Sequence, residues 1–333
     1  MAIVHFLNVN DGDCSVIQHV SGRVTVIDVN NAKKPKTKTI IGLALDSLID
    51  EEITKAEKGG NFQQKKKSVN PIEYLHDRGI TNIFRFFLTH PDMDHIGGIK
   101  DFFETFNPSV FWDTDNIKEM GSFKGSPYSE DDWIIYKNMR DNKPESNPQR
   151  LTGYSGRSCR YINRNEADEK GGDGIYILCP TPELVKEAND DDDYHKSSYV
   201  IQYRPSGGTV VFGGDSHDDS WKHIIDKHKD VANIELLIAP HHGRASDRSY
   251  DFLDVLTPKL TFFGNAKSEH LAYGAWRRRR LPYITNNQAN CMIVQVGTSP
   301  MQVYVTNETF ARSRNQFTYF SEFYKGWYLQ DIT

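Results

Sequence analysis

Apolar residues along this chain come mostly in short runs of four to six, the length of strands, each closed by Gly, Asn, Asp or Pro. Ile3 to Leu7, Ser15 to His19 and Arg23 to Ile27 are β-type runs separated by Asp11-Gly12-Asp13 and Ser21-Gly22, which is how a hairpin-rich sheet begins. Ile83 to Leu88 reads as a buried strand, and Ile175 to Cys179, Tyr199 to Tyr203, Thr209 to Phe212, Glu235 to Ala239, Leu260 to Phe263, Cys291 to Val296 and Gln302 to Val305 repeat the pattern. Helical spacing appears between them. Ile40, Ile41, Leu45, Leu48, Ile49 and Ile53 predict an amphipathic helix over 37–58 that Gly59-Gly60 stops. Shorter helices are expected from Asn70-Pro71 through His76, from Asp131 to Met139, after Pro180-Thr181-Pro182, from Ser220 to Lys229 and from Asp251 to Leu256. Gly59 to Lys67, with three consecutive lysines, reads as a mobile loop, and the polar stretch 113–174 reads as an insertion.

The strand ending at Leu88 changes the picture, because it releases His90, Asp92, Asp94 and His95 within six residues before Gly97-Gly98 opens a helix. Capping of a helix N-terminus explains one carboxylate, not two carboxylates with two imidazoles. Four such groups on one strand-to-helix turn repel one another unless a cation neutralises them. Later strands also end in polar groups. Gly213-Gly214 delivers Asp215, and Pro240 precedes His241, His242 and Gly243.

The run His90-Pro-Asp92-Met-Asp94-His95 resembles the H-x-H-x-D-H signature of the metallo-β-lactamase superfamily, with Asp92 in place of its second His. The variant followed by Ile-Gly-Gly is similar to the hydrolase domain of the competence DNA-uptake protein ComEC and its soluble relatives. NVNDGDCSVI followed by VTVIDVN resembles the opening of those hydrolases, with Asp13 and Asp28 at their acidic positions and Asn10 where their turn has its first Gly. The resemblance implies an α/β (α+β) fold, an αββα sandwich of two mixed sheets flanked by helices. It also implies a two-metal site. His90, Asp92 and His195 would hold one ion, Asp94, His95 and His241 the other, and Asp215 would lie between them. Asp94 would also orient the attacking hydroxide. His242 would point elsewhere if the segment is extended, because successive side chains alternate, and would serve as general acid, with His270 as the alternative. A surface histidine without a metal role is the competing reading of His195. Exchanging a nitrogen donor for the oxygen of Asp92 favours manganese or magnesium over zinc, so the expected cofactors are two divalent ions, manganese or zinc, with magnesium as a third candidate.

Length and composition leave one hydrolase domain over 1–310, and an aromatic tail over 311–333 that packs on the domain or docks on a protein partner or second copy. No apolar run approaches the ~20 residues of a membrane span and the N-terminus lacks a basic leader, so a cytoplasmic protein without membrane contact is expected. Cys14, Cys159, Cys179 and Cys291 lack metal-type spacing and read as thiols. The net charge of −5 argues against a general nucleic-acid surface, though Arg277 to Arg280 could form a local phosphate-contacting patch. Three functions stay open: a phosphodiesterase or nuclease acting on DNA or RNA, a hydrolase of a small molecule such as a phosphorylcholine ester, cyclic nucleotide, lactone or thioester, and a non-catalytic interaction module.

Overall fold

The computed structural model describes residues 1–35, 47–49, 51–53, 61–143, 148–266 and 270–333. The described strands form two mixed sheets. The larger has ten strands in the order Phe320–Ser321, Gly326–Ile332, Met301–Val305, Met292–Gln295, Ile3–Phe6, Ser15–Gln18, Val24–Ile27, Arg85–Phe87, Val110–Trp112 and Gln149–Leu151. The smaller has six, Tyr283–Thr285, Leu260–Phe263, Leu236–Ile238, Val210–Phe212, Val200–Tyr203 and Ile175–Cys179. Period-two alternation sorts each strand between two layers. Phe87 faces the other sheet and joins Phe6, Trp112, Phe212 and Phe262 in the central core, while Phe86 faces outward onto Phe102 and Phe103. Helices Pro71–His76, Ile99–Phe106 and Glu130–Arg140 cover the outer face of the large sheet. Pro182–Asp191, Asp218–Lys227, Leu253–Leu256 and Tyr273–Arg279 cover that of the small one. The result is the expected αββα sandwich.

Register decides where the strands empty their polar ends. Val24–Ile27, Arg85–Phe87 and Val110–Trp112 run parallel with Ile27 level with Phe87 and Phe87 with Trp112, so Asp28, Leu88 and Asp113 leave the sheet at one height, with Thr89 one residue further on. Val210–Phe212, Leu236–Ile238 and Leu260–Phe263 are parallel too, with Phe212, Ile238 and Phe262 in register. Polar loops of both sheets therefore meet at the carboxyl ends of parallel strands, the general place for a site in α/β architectures.

Several sequence expectations change. The helix over 37–58 lies mostly outside the described residues, of which 47–49 and 51–53 are helical. The three-lysine segment is no loose loop where it is described: Gln64–Lys67 is a 3-10 turn, tied down by Asn8 Nδ2 donating to Gln64 O at 2.6 Å. The insertion adds Gln149–Leu151 to the large sheet, and Asp132 of its helix accepts from the backbone of Gly98 and Lys100 at 2.9 and 3.1 Å. The tail divides: Gly326–Ile332 pairs with Met301–Val305 and buries Leu329 and Ile332, while Phe317 and Phe323 stay exposed. All four cysteines are free. Among the described residues no helix is long and apolar enough to cross a membrane.

Two buried polar contacts fasten the insertion. At its far end Asp173 pairs with the fully buried Arg85. At its start Asp113, also fully buried, accepts from Tyr136 Oη at 3.2 Å and from Asn116 Nδ2 at 3.3 Å, with the Arg150 guanidinium 3.4 Å away. Burial outweighs these partners and pushes the Asp113 carboxyl up to about 7. An acid raised in the fold above its unfolded value binds the extra proton in the native state, so stability falls as pH rises between the two values, at up to about 1.4 kcal/mol per pH unit. Asp113→Asn should flatten the fall in urea-unfolding free energy between about pH 4 and 7. An unchanged slope would place the responsible group elsewhere.

Candidate metal centre

The loop after Arg85–Phe87 is shaped by its second layer. Asp28 follows Val24–Ile27 with φ of 58°, and its carboxylate accepts from the Thr89 amide and the Thr89 hydroxyl, each at 2.7 Å, and from His95 Nδ1 at 2.8 Å. Asp92 sits at the N-cap of the short helix Met93–Ile96, and Asp94 and His95 occupy its single turn. Gly12, with φ of 84°, backs this turn so closely that a Cβ there would lie 1.8 Å from the Asp94 carbonyl oxygen. Asn10 adopts φ of 75°, a left-handed conformation Asn tolerates. On the other sheet Gly214 takes φ of 50° under the Ser198 hydroxyl, which accepts from the Asp215 amide at 2.9 Å.

These loops bring two groups together. His90 Nε2, Asp92 Oδ2 and His195 Nε2 form one, with separations of 3.7 Å between His90 and Asp92 and 3.3 Å between His195 and Asp92. Asp94 Oδ2, His95 Nε2 and His242 Nε2 form the other, with 4.0 Å between Asp94 and His95 and 3.5 Å between Asp94 and His242. Asp215 lies between them. Its Oδ2 is 3.7 Å from His90 and from His195 and 3.8 Å from His242, and its Oδ1 is 3.5 Å from His95.

The donor set fits a pair of cations on its own chemistry. His90 Nε2, His95 Nε2, His242 Nε2 and Asp215 Oδ1 are buried, aimed at one another, and without a hydrogen-bond partner. An unpaired buried polar atom costs about 1 to 3 kcal/mol, so four in one place call for a ligand that takes lone pairs. Their outer nitrogens are arranged accordingly. His95 Nδ1 faces Asp28, His242 Nδ1 faces Asp13 at 2.9 Å, and His90 Nδ1 faces Thr89 Oγ1 at 3.1 Å, whose hydrogen is given to Asp28. Each ring thus donates outward and turns a lone pair inward, the usual support of a metal-bound imidazole. In the ion-free protein burial opposes charge on His242, but the Asp13 and Asp215 carboxylates push it up to about 10. Burial likewise works against Asp215, and His242, His95 and His90 hold its carboxyl well below the usual range.

The two adjacent histidines depart from expectation. The segment is not extended: His241 and His242 both have positive φ, 50° and 56°, within the turn Pro240–Gly243, so strand alternation does not apply. His242 is the residue that reaches Asp94 and His95, fully buried, rather than an outward-facing acid. His241 stands instead with His195 and Asp215, its Nε2 3.7 Å from Asp215 Oδ2 and its Nδ1 2.8 Å from Arg248 Nη1. His270 is exposed, its carbonyl accepting from the Ala245 amide at 2.6 Å, and it joins none of these groups.

The cations near the site were not anticipated. Lys118, from the insertion, pairs with Asp92 Oδ1, the oxygen turned away from the histidines. Arg248 is buried and donates to the carbonyls of Ser216 and Asp215 at 2.9 and 2.8 Å. Tyr128, also from the insertion, has its hydroxyl pushed up to about 12 by burial and by the Asp94 and Asp11 carboxylates. The run Arg277 to Arg280 lies elsewhere, at the C-terminal end of a helix whose other end touches the centre through Ala272 N donating to Gly243 O. Arg279 there is committed to Asp254 at 2.6 and 2.8 Å.

A family model described as the metallo-beta-lactamase superfamily matches residues 45–175. Among solved structures, the chain is similar to Igni18, a metallo hydrolase from Ignicoccus hospitalis, with 11% identity, 88% of this chain and 99% of that one covered, and a TM-score of 0.47. Tm1679, a metal-dependent hydrolase of the β-lactamase superfamily, gives 12% identity, 86% and 96% coverage and a TM-score of 0.46. YhfI from Bacillus subtilis, a metallo-β-lactamase fold protein, gives 10%, 86% and 96%, and 0.40. Comparison with curated proteins returned no match.

The closeness of Gly12 to the Asp94 backbone yields a direct test. Gly12→Ala should displace the helix turn carrying Asp94 and His95, lowering the melting temperature by several degrees and reducing manganese uptake in equilibrium dialysis. Wild-type values for both would show that the turn can relax around a methyl group.

Proposed function

Taking the metallo-β-lactamase fold as premise, we propose that this chain is a metal-dependent hydrolase that holds two divalent ions and cleaves phosphodiesters, with DNA or RNA as the substrate class. One observation carries the reading: two convergent ligand groups flank the buried Asp215, and four of the inward atoms, His90 Nε2, His95 Nε2, His242 Nε2 and Asp215 Oδ1, lack hydrogen-bond partners. His90, Asp92 and His195 would hold one ion and Asp94, His95 and His242 the other, with Asp215 between. Such ions supply Lewis acidity and a nucleophile at neutral pH by acidifying water.

The protein's own groups do the rest. Asp28 and Asp13 fix the His95 and His242 rings with their lone pairs inward. Asp94, about a quarter exposed where His90, His95 and His242 are closed off, is a carboxylate able to orient an attacking water. Lys118 offers a cation beside Asp92 for a non-bridging phosphate oxygen, which favours an anionic substrate over a lactone or thioester. Asp92, standing where the resemblance has a nitrogen, makes three of the seven donor residues carboxylates and shifts the preference towards manganese. The net charge of −5 supports the alternative of a small phosphate ester over a polymer.

Assays of the apo-protein with added manganese, magnesium or zinc on labelled DNA, labelled RNA and bis-(p-nitrophenyl) phosphate should find diester cleavage, fastest with manganese. Cleavage of lactones or thioesters alone would overturn the substrate class, and zinc turnover equal to manganese would overturn the donor argument. Elemental analysis should find two ions per chain in the wild type and a loss of at least one in His242→Ala. Full retention in that variant would remove His242 from the ligand set.

A further inference from the structure

Among the histidines of the centre whose ring partners are described, His241 has its hydrogen bonding the other way round. His90, His95 and His242 each present Nδ1 to an acceptor. His241 presents Nδ1 to Arg248 Nη1 at 2.8 Å, with Ser246 Oγ at 2.9 Å. A guanidinium has hydrogens and no lone pair to offer, so Nδ1 must be the acceptor. A neutral imidazole has one lone pair on its ring nitrogens. With that pair on Arg248, the hydrogen of His241 sits on Nε2, the atom facing Asp215. Arg248 cannot easily turn away, since its other nitrogens are held by the carbonyls of Ser216 and Asp215 and the residue is buried.

Exposure groups His241 with His195, whose side chain is 27% exposed, rather than with the closed rings. The side chains of His90 and His95 are 0% exposed and that of His242 is 1%, whereas His241 is 16% exposed, on the open side of the centre. We propose that His241 is not a metal ligand but a fixed hydrogen-bond donor, presenting Nε2–H to a phosphoryl oxygen of the bound substrate. The substrate in this statement rests on the phosphodiester reading above. The donor assignment rests on Arg248 alone. No proton is transferred: the N–H stabilises the negative charge that grows on the phosphoryl oxygen as the nucleophile adds, a role for which one well-placed donor contributes about 10²- to 10³-fold in rate. Asp215 is thereby served from two directions, with Arg248 holding its carbonyl and orienting its neighbour His241.

The test combines four readouts. Two-bond proton–nitrogen NMR of ¹⁵N-histidine-labelled, zinc-loaded protein, assigned with His241→Gln, should show His241 protonated at Nε2. Elemental analysis of His241→Ala should retain two ions per chain. Its kcat on bis-(p-nitrophenyl) phosphate should fall about 10²- to 10³-fold with the melting temperature preserved. His241→Gln, whose amide nitrogen reaches the Nε2 position, should recover part of that loss, and His241→Asn, whose nitrogen reaches only the Nδ1 position, should not. Loss of an ion in His241→Ala, or an unprotonated Nε2 in the NMR spectrum, would overturn the proposal, as would equal activity of the Gln and Asn variants. Wild-type protein that spares diesters while showing the Nε2–H would overturn the phosphodiester reading and leave the donor assignment intact.

Discussion

The structure turns on one electrostatic constraint: Asp215, fully buried, keeps a charged carboxylate within 3.8 Å of five imidazoles. A carboxylate alone in such a place would be driven to protonate. Here the imidazoles reverse the effect and hold it ionised, and Asp92 and Asp94 add two further carboxylates to the same volume. An arrangement of this kind survives only if every group is positioned by something outside it. That requirement explains the polar layer at the sheet ends, where Asp13 holds His242, Asp28 holds His95, Thr89 holds His90 and Ser198 holds Asp215.

The backbone answers the same requirement. Asp28, Asn10, Gly12, Gly214, His241 and His242 all sit at positive φ, and they cluster where loops from the two sheets must approach within contact distance. Left-handed conformations at non-glycine residues cost of order 1 kcal/mol and persist where surrounding structure overdetermines them. At His241 and His242 the consequence is chemical: two successive left-handed residues turn adjacent rings onto neighbouring faces of one carboxylate, where an extended chain would point them apart.

This is also where sequence reading reaches its limit. The strand ends, the H-x-D-x-D-H loop and Asp215 were legible because alternation and residue type carry them, and the layered sandwich follows from the same short runs. The order of His241 and His242 was not, because alternation presupposes an extended backbone, and the one local hint of a turn was Gly243. The arginine run shows a related limit: four like charges in sequence announce charge, not location, and in the fold Arg279 pairs with Asp254. Lys118 and Arg248 are single cations in polar segments. Nothing in their neighbourhood marks them, since their roles depend on contacts with Asp92 and His241 that only the folded chain creates.

Lys118 shows what the insertion contributes. Its segment is fixed by Ile117 N donating to Asn189 Oδ1 at 3.1 Å, by Lys118 N donating to Asn116 Oδ1 at 3.2 Å and by Arg140 on its carbonyl. Asn116 in turn is bound to Tyr136, on the helix whose Asp132 holds the start of Ile99–Phe106, directly after the H-x-D-x-D-H loop. A lysine on a free loop would lose up to about 2 kcal/mol of side-chain entropy on meeting an anion, in addition to the cost of ordering the loop. With its backbone already fixed and its ammonium already beside Asp92, the ordering has been done during folding. The insertion therefore forms a wall of the site with a cation built into it, set beside a centre lined by imidazoles and carboxylates.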